Sequence, residues 1–279
     1  MKTTSLTFGQ VLLANFRAAY ARMWVRLKGS NREVTWLMAE ILLPILTIGA
    51  YVILYRTLNL PTSLGAAVII GGTMISFWNN VLWNMSAQWF WEKETGNLEM
   101  YLVAPVSRMA ILLGMALGGM VNTSIRAAGI LVLGIYVFQV PFQLHDIFSA
   151  SLVFLLTMAS LYALGMVFAS LFMLYGREAW HTNMLLQEPV YFLSGSYFPT
   201  IYTSVIPFWV QVTATLIPLT VGLDAIRRVT IGGGDFSAVW LHIVGLAIFT
   251  LILLPLARKA LDYMESLGKR EGRLTLRWQ

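Results

Sequence analysis

Long apolar stretches, each followed by a short polar segment, are the dominant pattern of the chain. Runs with few or no charged residues occur six times, at about 36–55, 64–89, 109–138, 147–174, 179–195 and 239–256. A helix needs about 20 apolar residues to cross a hydrocarbon core of about 30 Å. Continuous runs favour helices over the alternating strands of a barrel. The sequence therefore predicts an all-α membrane protein with six transmembrane helices in one domain, residues 1–279.

The first part of the chain, residues 6–28, has a different pattern. Apolar residues recur every three or four positions, at Phe8, Leu12, Phe16, Tyr20, Met23 and Leu27. Basic residues stand between them, at Arg17, Arg22, Arg26 and Lys28. This pattern is typical of an amphipathic helix in the membrane interface. A cytosolic helix packed on a partner subunit fits it as well, and both arrangements can hold together.

Residues 197–223 are apolar, but Pro199, Pro207 and Pro218 interrupt them. The distribution of basic residues bears on whether they cross the membrane. Six Lys and Arg residues precede the first span, and six more lie between 258 and 277. The positive-inside rule then places both termini in the cytoplasm, which requires an even number of crossings. We therefore expect residues 197–223 to be re-entrant and covered by protein.

The composition limits the kinds of binding site that the chain can contain. The chain is 58% hydrophobic and 11% charged, and its net charge is +6. We attribute this charge to basic residues that flank the spans near anionic lipid, rather than to a nucleic-acid-binding surface. It has no cysteine, and His145, His181 and His242 stand apart, so we expect no metal site. No GxxxxGK[ST] motif is present, so we expect no P-loop for ATP.

The charged link between the second and third spans, residues 92–105, is the most informative stretch. Gly96 and Pro105 bracket about two helical turns, with Leu98, Tyr101 and Leu102 on one side. A short helix that is apolar on one face and acidic at its start suits docking into a groove on a cytosolic partner. Periodicity alone leaves a solvated hairpin as the alternative.

The same stretch resembles the signature of ABC-2-type transporter permeases. The matching residues are Glu92, Glu94, Gly96, Leu98, Glu99, Pro105, Val106 and Ser107. Asn97 and Ala104 stand where the family usually has Thr and Ser, and neither difference removes a charge or a turn. In that family this stretch is a coupling helix that touches the ATPase subunit. The resemblance implies ATPase-coupling contacts at Glu92, Glu94, Gly96, Leu98, Glu99, Leu102 and Pro105.

A second stretch, before the last span, resembles the same family. Its matching residues are Ser194, Gly195, Phe198, Pro199, Ile206, Pro207, Pro218, Leu219, Thr220, Asp224 and Arg227. In family members this region forms short re-entrant helices on the extracytoplasmic side. The resemblance thus implies a re-entrant gate at Gly195, Phe198, Pro199, Pro207 and Pro218. It covers nearly the whole chain and is closest to drug-resistance and nodulation-factor permeases.

A mostly polar stripe follows the second span. Its residues share one helical face because they are three or four positions apart: Thr73, Phe77, Asn80, Asn84 and Gln88. Amides facing lipid would lack hydrogen-bond partners, so the stripe is expected to face other helices. It serves either interhelical hydrogen bonding alone or a translocation pathway, to which we also assign Glu188.

Ionisable residues are also expected at depth. Arg126 in the third span and Glu188 in the fifth differ in depth by about 12 Å at 1.5 Å per residue, so we expect no direct pair. Arg126 is expected to meet Asp224 in the re-entrant segment or to extend towards the interface. Glu40 is close enough to the interface to pair with a cytoplasmic arginine. Structural ion pairing is the favoured role of Arg126 and Glu188.

These features together indicate a transport subunit without a catalytic residue of its own. The resemblance implies a prokaryotic plasma-membrane permease that works with two copies of a cytosolic ABC ATPase, which holds ATP and Mg. It also implies a second permease subunit, in a homodimer or heterodimer, and an amphiphilic substrate such as a lipophilic drug, lipid or glycolipid. A secondary transporter would need inverted repeats and midplane ion ligands, and a lipid-modifying enzyme would need clustered catalytic residues. The sequence has neither pattern.

Overall fold

The computed structural model describes residues 8–30, 32, 34–140, 142, 146–175, 179–198 and 206–272, and every regular element in these ranges is helical. A π-helical segment, Asn80–Met85, joins α3 to the short helix that follows it. The helices are α1 Phe8–Ser30, α2 Val34–Thr57, α3 Thr62–Asn79, α4 Gln88–Glu94, α5 Asn97–Val103, α6 Arg108–Phe138, α7 Ile147–Tyr175, α8 Ala179–Ser194, α9 Phe208–Thr215, α10 Pro218–Thr230 and α11 Phe236–Glu271.

Among the described residues, five helical stretches are long and apolar enough to cross a membrane. They are Leu37–Thr57, Thr62–Glu94, Arg108–Phe138, Ile147–Tyr175 and Phe236–Glu271. The predicted fifth span falls on α8, whose 16 residues rise about 24 Å and are not among these five. Helices α9 and α10 meet at 97° and form a sixth candidate, as a broken span or a re-entrant loop. The predicted all-helical membrane class is confirmed, with five or up to six candidate spans in the part of the chain that the structure describes.

Helix α7 lies at the centre of the bundle. Its buried residues, among them Leu161 and Met166, pack with the π-helical segment, α10 and α11 in the main apolar core. A second apolar cluster joins α2, α3 and α6 through Ile48, Ile69 and Ile130. The core therefore holds α2, α3, α6, α7, α10 and α11 as one bundle, and α1, α4 and α5 lie at one end of it.

Helix α1 packs along the first turns of α6. The contact is close because α6 has glycines there: a Cβ on Gly114 would lie 2.2 Å from the Ala19 carbonyl oxygen. The Asn15 Oδ1 also accepts a hydrogen bond of 2.7 Å from the Ser107 N–H. With 31 residues α6 is about 46 Å long, about 16 Å more than a hydrocarbon core.

The outer face of α1 is apolar. The exposed residues of this face are Phe8, Leu12, Phe16, Tyr20 and Trp24, which recur every four positions and so form one stripe. The opposite side of the helix carries Arg22 and Arg26 towards the bundle. Of the apolar residues that the sequence places at helical spacing, Phe8, Leu12, Phe16 and Tyr20 lie outward, whereas Met23 and Leu27 are half-buried. This stripe is free to meet lipid or another protein.

At the other end of the bundle, Arg227 ties α10 to its neighbours. Its guanidinium group donates hydrogen bonds to three backbone carbonyls, at distances of 2.7 to 3.2 Å: those of Ala67, Gly195 and Ser196. The approach is possible because residue 71 has no side chain, since a Cβ there would lie 1.7 Å from the Ser196 carbonyl oxygen. This clamp holds the turn after α8 against α3.

Candidate functional site

Helices α4 and α5 form a compact angle at one end of the bundle. The turn between them depends on Gly96, whose φ of 77° lies in the left-handed region that favours glycine. On the inner side, Trp89 and Leu98 are buried. On the outer side the exposed residues are Trp91, Glu94, Thr95, Glu99, Met100, Val103 and Pro105. The segment thus has one face anchored in the protein and one mixed acidic and apolar face that is open.

Glu92 is the buried anchor of this segment. Its carboxylate accepts hydrogen bonds from Arg22 of α1, from Gln88 at 3.0 Å and from Asn97 at 3.1 Å. The Arg22 guanidinium also lies 5.1 Å above the Tyr101 ring, and burial raises the pKa of Tyr101. Charge-assisted hydrogen bonds of this kind are among the stronger ones in proteins. Glu92 therefore fastens α4 and α5 to the N-terminal helix.

The residues predicted to contact an ATPase differ in their exposure within the chain, and their contact with an ATPase stays a prediction. Glu92 and Leu98 were grouped with the contacts to an ATPase, but in the structure both side chains point into the chain. Hydrophobic spacing does not reveal this, because the partner of Glu92 lies 70 residues earlier, in α1. Of the other residues in that group, Glu94, Glu99 and Pro105 are exposed, and Gly96 and Leu102 are half-buried.

A charged cavity of about 1020 Å³ opens beside this segment, between α1, α2, α4, α6 and the π-helical segment. A smaller cavity of about 400 Å³ continues it, because Glu40, Asn80, Asn84 and Arg126 line both. The larger cavity is lined by three arginines and two glutamates: Arg22, Arg26, Arg126, Glu40 and Glu92. Burial lowers the pKa of Arg26 from its ordinary value. Partly buried charged groups interact more strongly with one another, and with any ion that enters, than they would in bulk water.

The predicted polar stripe is divided between two cavities. Thr73 and Phe77 line an apolar cavity of about 470 Å³ between α3, α6, α7 and α10. Asn80, Asn84 and Gln88 line the charged cavity. The stripe divides where the π-helical segment begins. Directly after this segment, the Ser86 N–H donates a hydrogen bond to the Val81 carbonyl, five residues earlier. A π turn takes one residue more than an α turn and so rotates the side chains that follow it.

Helix α8 contributes contacts that the sequence analysis missed. Asn183 donates to the Leu82 carbonyl at 2.5 Å, Trp83 donates to Gln187 at 2.9 Å and Tyr191 donates to Asn79 at 2.6 Å. The α8 residues follow one another at intervals of four, which is the signal that indicates a single polar face. They fix the π-helical segment by satisfying its polar groups.

The two deep charges have different surroundings. Arg126 is buried and forms an ion pair with Glu40 of α2, not with Asp224. Asp224 instead accepts a hydrogen bond of 2.7 Å from Arg228 and lies 2.9 Å from His242 of α11. The ion pair places Glu40, near the start of α2, level with Arg126, in the middle of α6. Glu188 lies on the exposed side of α8 and lines none of these three cavities.

The predicted gate residues lie around the turn after α8 and the start of α9 and α10. Gly195 has a φ of 65°, and its carbonyl accepts from Arg227. Phe198 packs against Phe192 with ring centroids 5.7 Å apart. Pro207 immediately precedes α9, and Pro218 begins α10. Pro199 lies outside the described residues.

Apolar helices packed around a charged cavity define a polytopic helical membrane protein. A sequence model of the family described as "ABC-2 type transporter" matches residues 14–231, which is more than half of the chain. The chain belongs to the ABC-2 type transporter family.

Curated relatives are consistent with this assignment. YadH of Escherichia coli K12, an "inner membrane transport permease", is 29% identical over 172 residues, which are 62% of this chain and 65% of YadH. YadH of Shigella flexneri matches with the same identity and coverage. YbhR of Escherichia coli K12, a "probable multidrug ABC transporter permease", is 24% identical over 163 residues, 57% of this chain and 42% of YbhR. The match spans less than two thirds of each relative's length.

Proposed function

We propose that this chain is the membrane-spanning subunit of an ATP-driven exporter whose ATPase is a separate chain. The observation that carries the proposal is the α4–α5 segment, with a buried anchor and an open acidic and apolar face. Family membership supports an ABC ATPase as the partner of that face. ATP and Mg belong to the ATPase, of which the complex has two copies.

The ATPase contacts the exposed side chains of α4 and α5, with Glu94 and Glu99 as the charged contacts and Met100 and Val103 as the apolar ones. Movement of this face is passed on along three contacts. Asn97 of α5 donates to Glu92 of α4, the Glu92–Arg22 ion pair connects α4 to α1, and the close approach at Gly114 connects α1 to α6. Helix α6 carries Arg126 into the charged cavity, so motion at α5 changes the cavity.

A second permease subunit completes the membrane part, as a homodimer or a heterodimer. Glu188 supports this arrangement because it is exposed on α8 beside Leu185 and Phe192. A carboxylate in the middle of a helix of this kind is costly when it faces lipid. The translocation pathway then runs between the two subunits, with Glu188 facing it. The stripe residues Asn84 and Gln88 reach it through the charged cavity.

The membrane orientation follows from the charge distribution. Six basic residues before the first span and six after residue 257 favour a cytoplasmic position for both termini. This requires α9 and α10 to be re-entrant at the extracytoplasmic side, where the Arg227 clamp holds the gate closed. It also requires α8, with the residues before it, to cross the membrane. The substrate is an amphiphile, which is in keeping with the multidrug designation of YbhR.

The proposal can be tested without knowing the substrate. The chain has no cysteine, so Asn84→Cys, which lines both parts of the charged cavity, provides a single site for maleimide labelling. In the complex with its ATPase we expect ATP to change the labelling rate. The double variant Glu94→Lys/Glu99→Lys is expected to lose ATPase binding and this ATP dependence. Asp262→Lys, an exposed charge reversal on α11, is expected to keep both. An ATP response that persists in the double variant contradicts the proposal.

A further inference from the structure

A groove runs between α6 and α7, two consecutive helices of the bundle. Two cavities lie along it, a larger section of about 470 Å³ and a smaller section of about 230 Å³. One face of α6 lines both sections, with residues every three or four positions, among them Leu113, Leu117, Met120, Ser124, Leu131 and Ile135. Two lining residues of the larger section, Ala128 and Ser151, are exposed. The groove therefore opens at the outer surface of the bundle.

The groove has the length of a hydrocarbon core. From Leu113 to Ile135, α6 advances 22 residues (135 − 113), which is a rise of about 33 Å. The lining residues of α7 extend from Ile147 to Met166, a rise of about 28 Å. The hydrocarbon core of a bilayer is about 30 Å thick. On α6 the larger section begins at Ser124, half-way along the groove, so each section has the depth of one leaflet.

The lining of the groove is apolar in its chemistry as well as in its composition. All of the described lining residues are uncharged. In the larger section, the hydroxyls of Thr73, Ser124 and Thr230 each donate to the carbonyl four residues earlier in their own helix, at 2.7 to 2.8 Å. Their hydrogen-bonding capacity as donors is thus used within the protein. A ligand of this groove is therefore a hydrocarbon, without a polar group that needs a partner.

The groove is held open from both sides. Helix α6 packs on α2 and α3 through Ile130, and α7 approaches α10 so closely that a Cβ on Gly222 would lie 2.2 Å from the Thr157 hydroxyl oxygen. The volumes of 470 and 230 Å³ together make about 700 Å³. A helix about 10 Å wide and 30 Å long occupies about 2400 Å³. A slender hydrocarbon chain fits the groove, whereas a whole helix of another protein does not.

We propose that the groove between α6 and α7 binds acyl chains of bilayer lipids, one chain from the nearer leaflet in each section. Apolar cavities in proteins exclude water and bind hydrocarbon. At the depth of the spans the hydrocarbon that surrounds the protein is lipid. The chain is recognised and the headgroup is not, because the headgroup lies beyond the uncharged lining. This site is separate from the charged cavity and does not depend on the exporter function.

The test uses the purified chain in neutral detergent, without any ATPase. Ser151→Cys places a single thiol in the larger section, where it is labelled with the fluorophore NBD. Phosphatidylcholine with a nitroxide on its acyl chain is titrated in, and quenching reports contact between the chain and the fluorophore. Ile125→Cys, exposed on α6 outside both linings, is the control position. We expect half-maximal quenching at Ser151→Cys with about fivefold less lipid, because a few additional van der Waals contacts shift binding by that factor.

A blocking variant tests whether the quenching arises in the groove. Ala128→Phe extends a ring from an exposed position into the larger section and is expected to remove the fivefold preference of the Ser151→Cys label. Val132→Phe, exposed on α6 outside both linings, is the matched control and is expected to keep it. The unfolding temperature of both variants shows that they are folded. The comparison of the two label positions uses the unblocked protein, so it stands even if Ala128→Phe misfolds.

The remaining outcomes identify other occupants. Phosphatidylglycerol with the same nitroxide chain is expected to quench like phosphatidylcholine, and a preference between the headgroups would overturn the inference. Equal quenching at both label positions, or a preference that survives in folded Ala128→Phe, would overturn it too. Oxidative cross-linking of two Ser151→Cys chains without preferential quenching would identify a second copy of the chain instead. None of these results changes the ATP-response test of the exporter function, so the two proposals can fail separately.

Discussion

The contact of α1 with α6 gives a prediction whose size follows from the coordinates. In Gly114→Ala the new Cβ would lie 2.2 Å from the Ala19 carbonyl oxygen, with two further Ala19 backbone atoms at 2.7 and 2.8 Å. An ordinary contact begins at 3.4 Å, so α1 must retreat by 3.4 − 2.2 = 1.2 Å. None of these three atoms can rotate away, because all of them belong to the α1 backbone.

This displacement carries a free-energy cost. Overpacking of this kind costs about 1–3 kcal/mol, and the better helix propensity of alanine returns up to about 1 kcal/mol. We expect a net loss of roughly 1–2 kcal/mol in the α1–α6 contact. A shift of this size also stretches the Arg22–Glu92 hydrogen bond beyond its working range. The substitution is therefore expected to loosen α1 and the α4–α5 segment together.

Two measurements test whether Gly114→Ala loosens α1. Tryptophan fluorescence during heating, from the ten tryptophans of the chain, is expected to report a lower unfolding temperature. Maleimide labelling of Met23→Cys, half-buried on α1, is expected to be faster in the Gly114→Ala background. Gly245→Ala is the matched control, since a Cβ there meets nothing within 4 Å, and it is expected to be neutral or slightly stabilising. Unchanged stability and labelling in Gly114→Ala would refute the close packing of α1 on α6.

Two further substitutions test the ion pair and the clamp. Glu92→Gln replaces charge-assisted hydrogen bonds by neutral ones and is expected to lower the free energy of unfolding by about 1.5–3 kcal/mol. The exposed Glu94→Gln is expected to change it by no more than about 0.5 kcal/mol. Equal unfolding temperatures of the two variants would contradict the role of Glu92 as a buried anchor. Arg227→Lys cannot reproduce a planar donor to three carbonyls and is expected to lose about 1–3 kcal/mol for each carbonyl left unpaired. Its control is Arg258→Lys on the surface of α11, and the same unfolding temperature for both would exclude the clamp.

Hydropathy predicts the membrane class and most helix positions well, because the bilayer imposes a length on each span. The predicted spans at 36–55, 109–138 and 147–174 agree with the candidates Leu37–Thr57, Arg108–Phe138 and Ile147–Tyr175 within a few residues. Hydropathy is less informative for α8, where Asn183, Gln187 and Glu188 interrupt the apolar run. Asn183 and Gln187 form hydrogen bonds with the π-helical segment, and an average of hydropathy over a window does not represent such contacts.

The candidate site is less accessible to sequence reasoning, because its key pairs are distant in the chain. Glu92 and Arg22 are 70 residues apart, and Arg126 and Glu40 are 86 apart (126 − 40). A periodic pattern identifies the face of one helix but not the helix opposite to it. The division of the stripe at Asn80 is hidden for a second reason, since its prediction assumes a constant 3.6 residues per turn and the π-helical segment departs from it.

The distance in sequence between α1 and its anchors has a consequence for biogenesis. Ribosomes add about 5–20 residues per second, so Glu92 follows Arg22 by roughly 4–14 s. During that interval α1 has been made, whereas the segment that fastens it has not. The apolar stripe at Phe8, Leu12, Phe16, Tyr20 and Trp24 allows the nascent helix to wait on the surface of the bilayer until α6 is inserted. We expect the stripe that lies outward in the finished fold to limit aggregation of the newborn N-terminal helix by holding it at the bilayer surface.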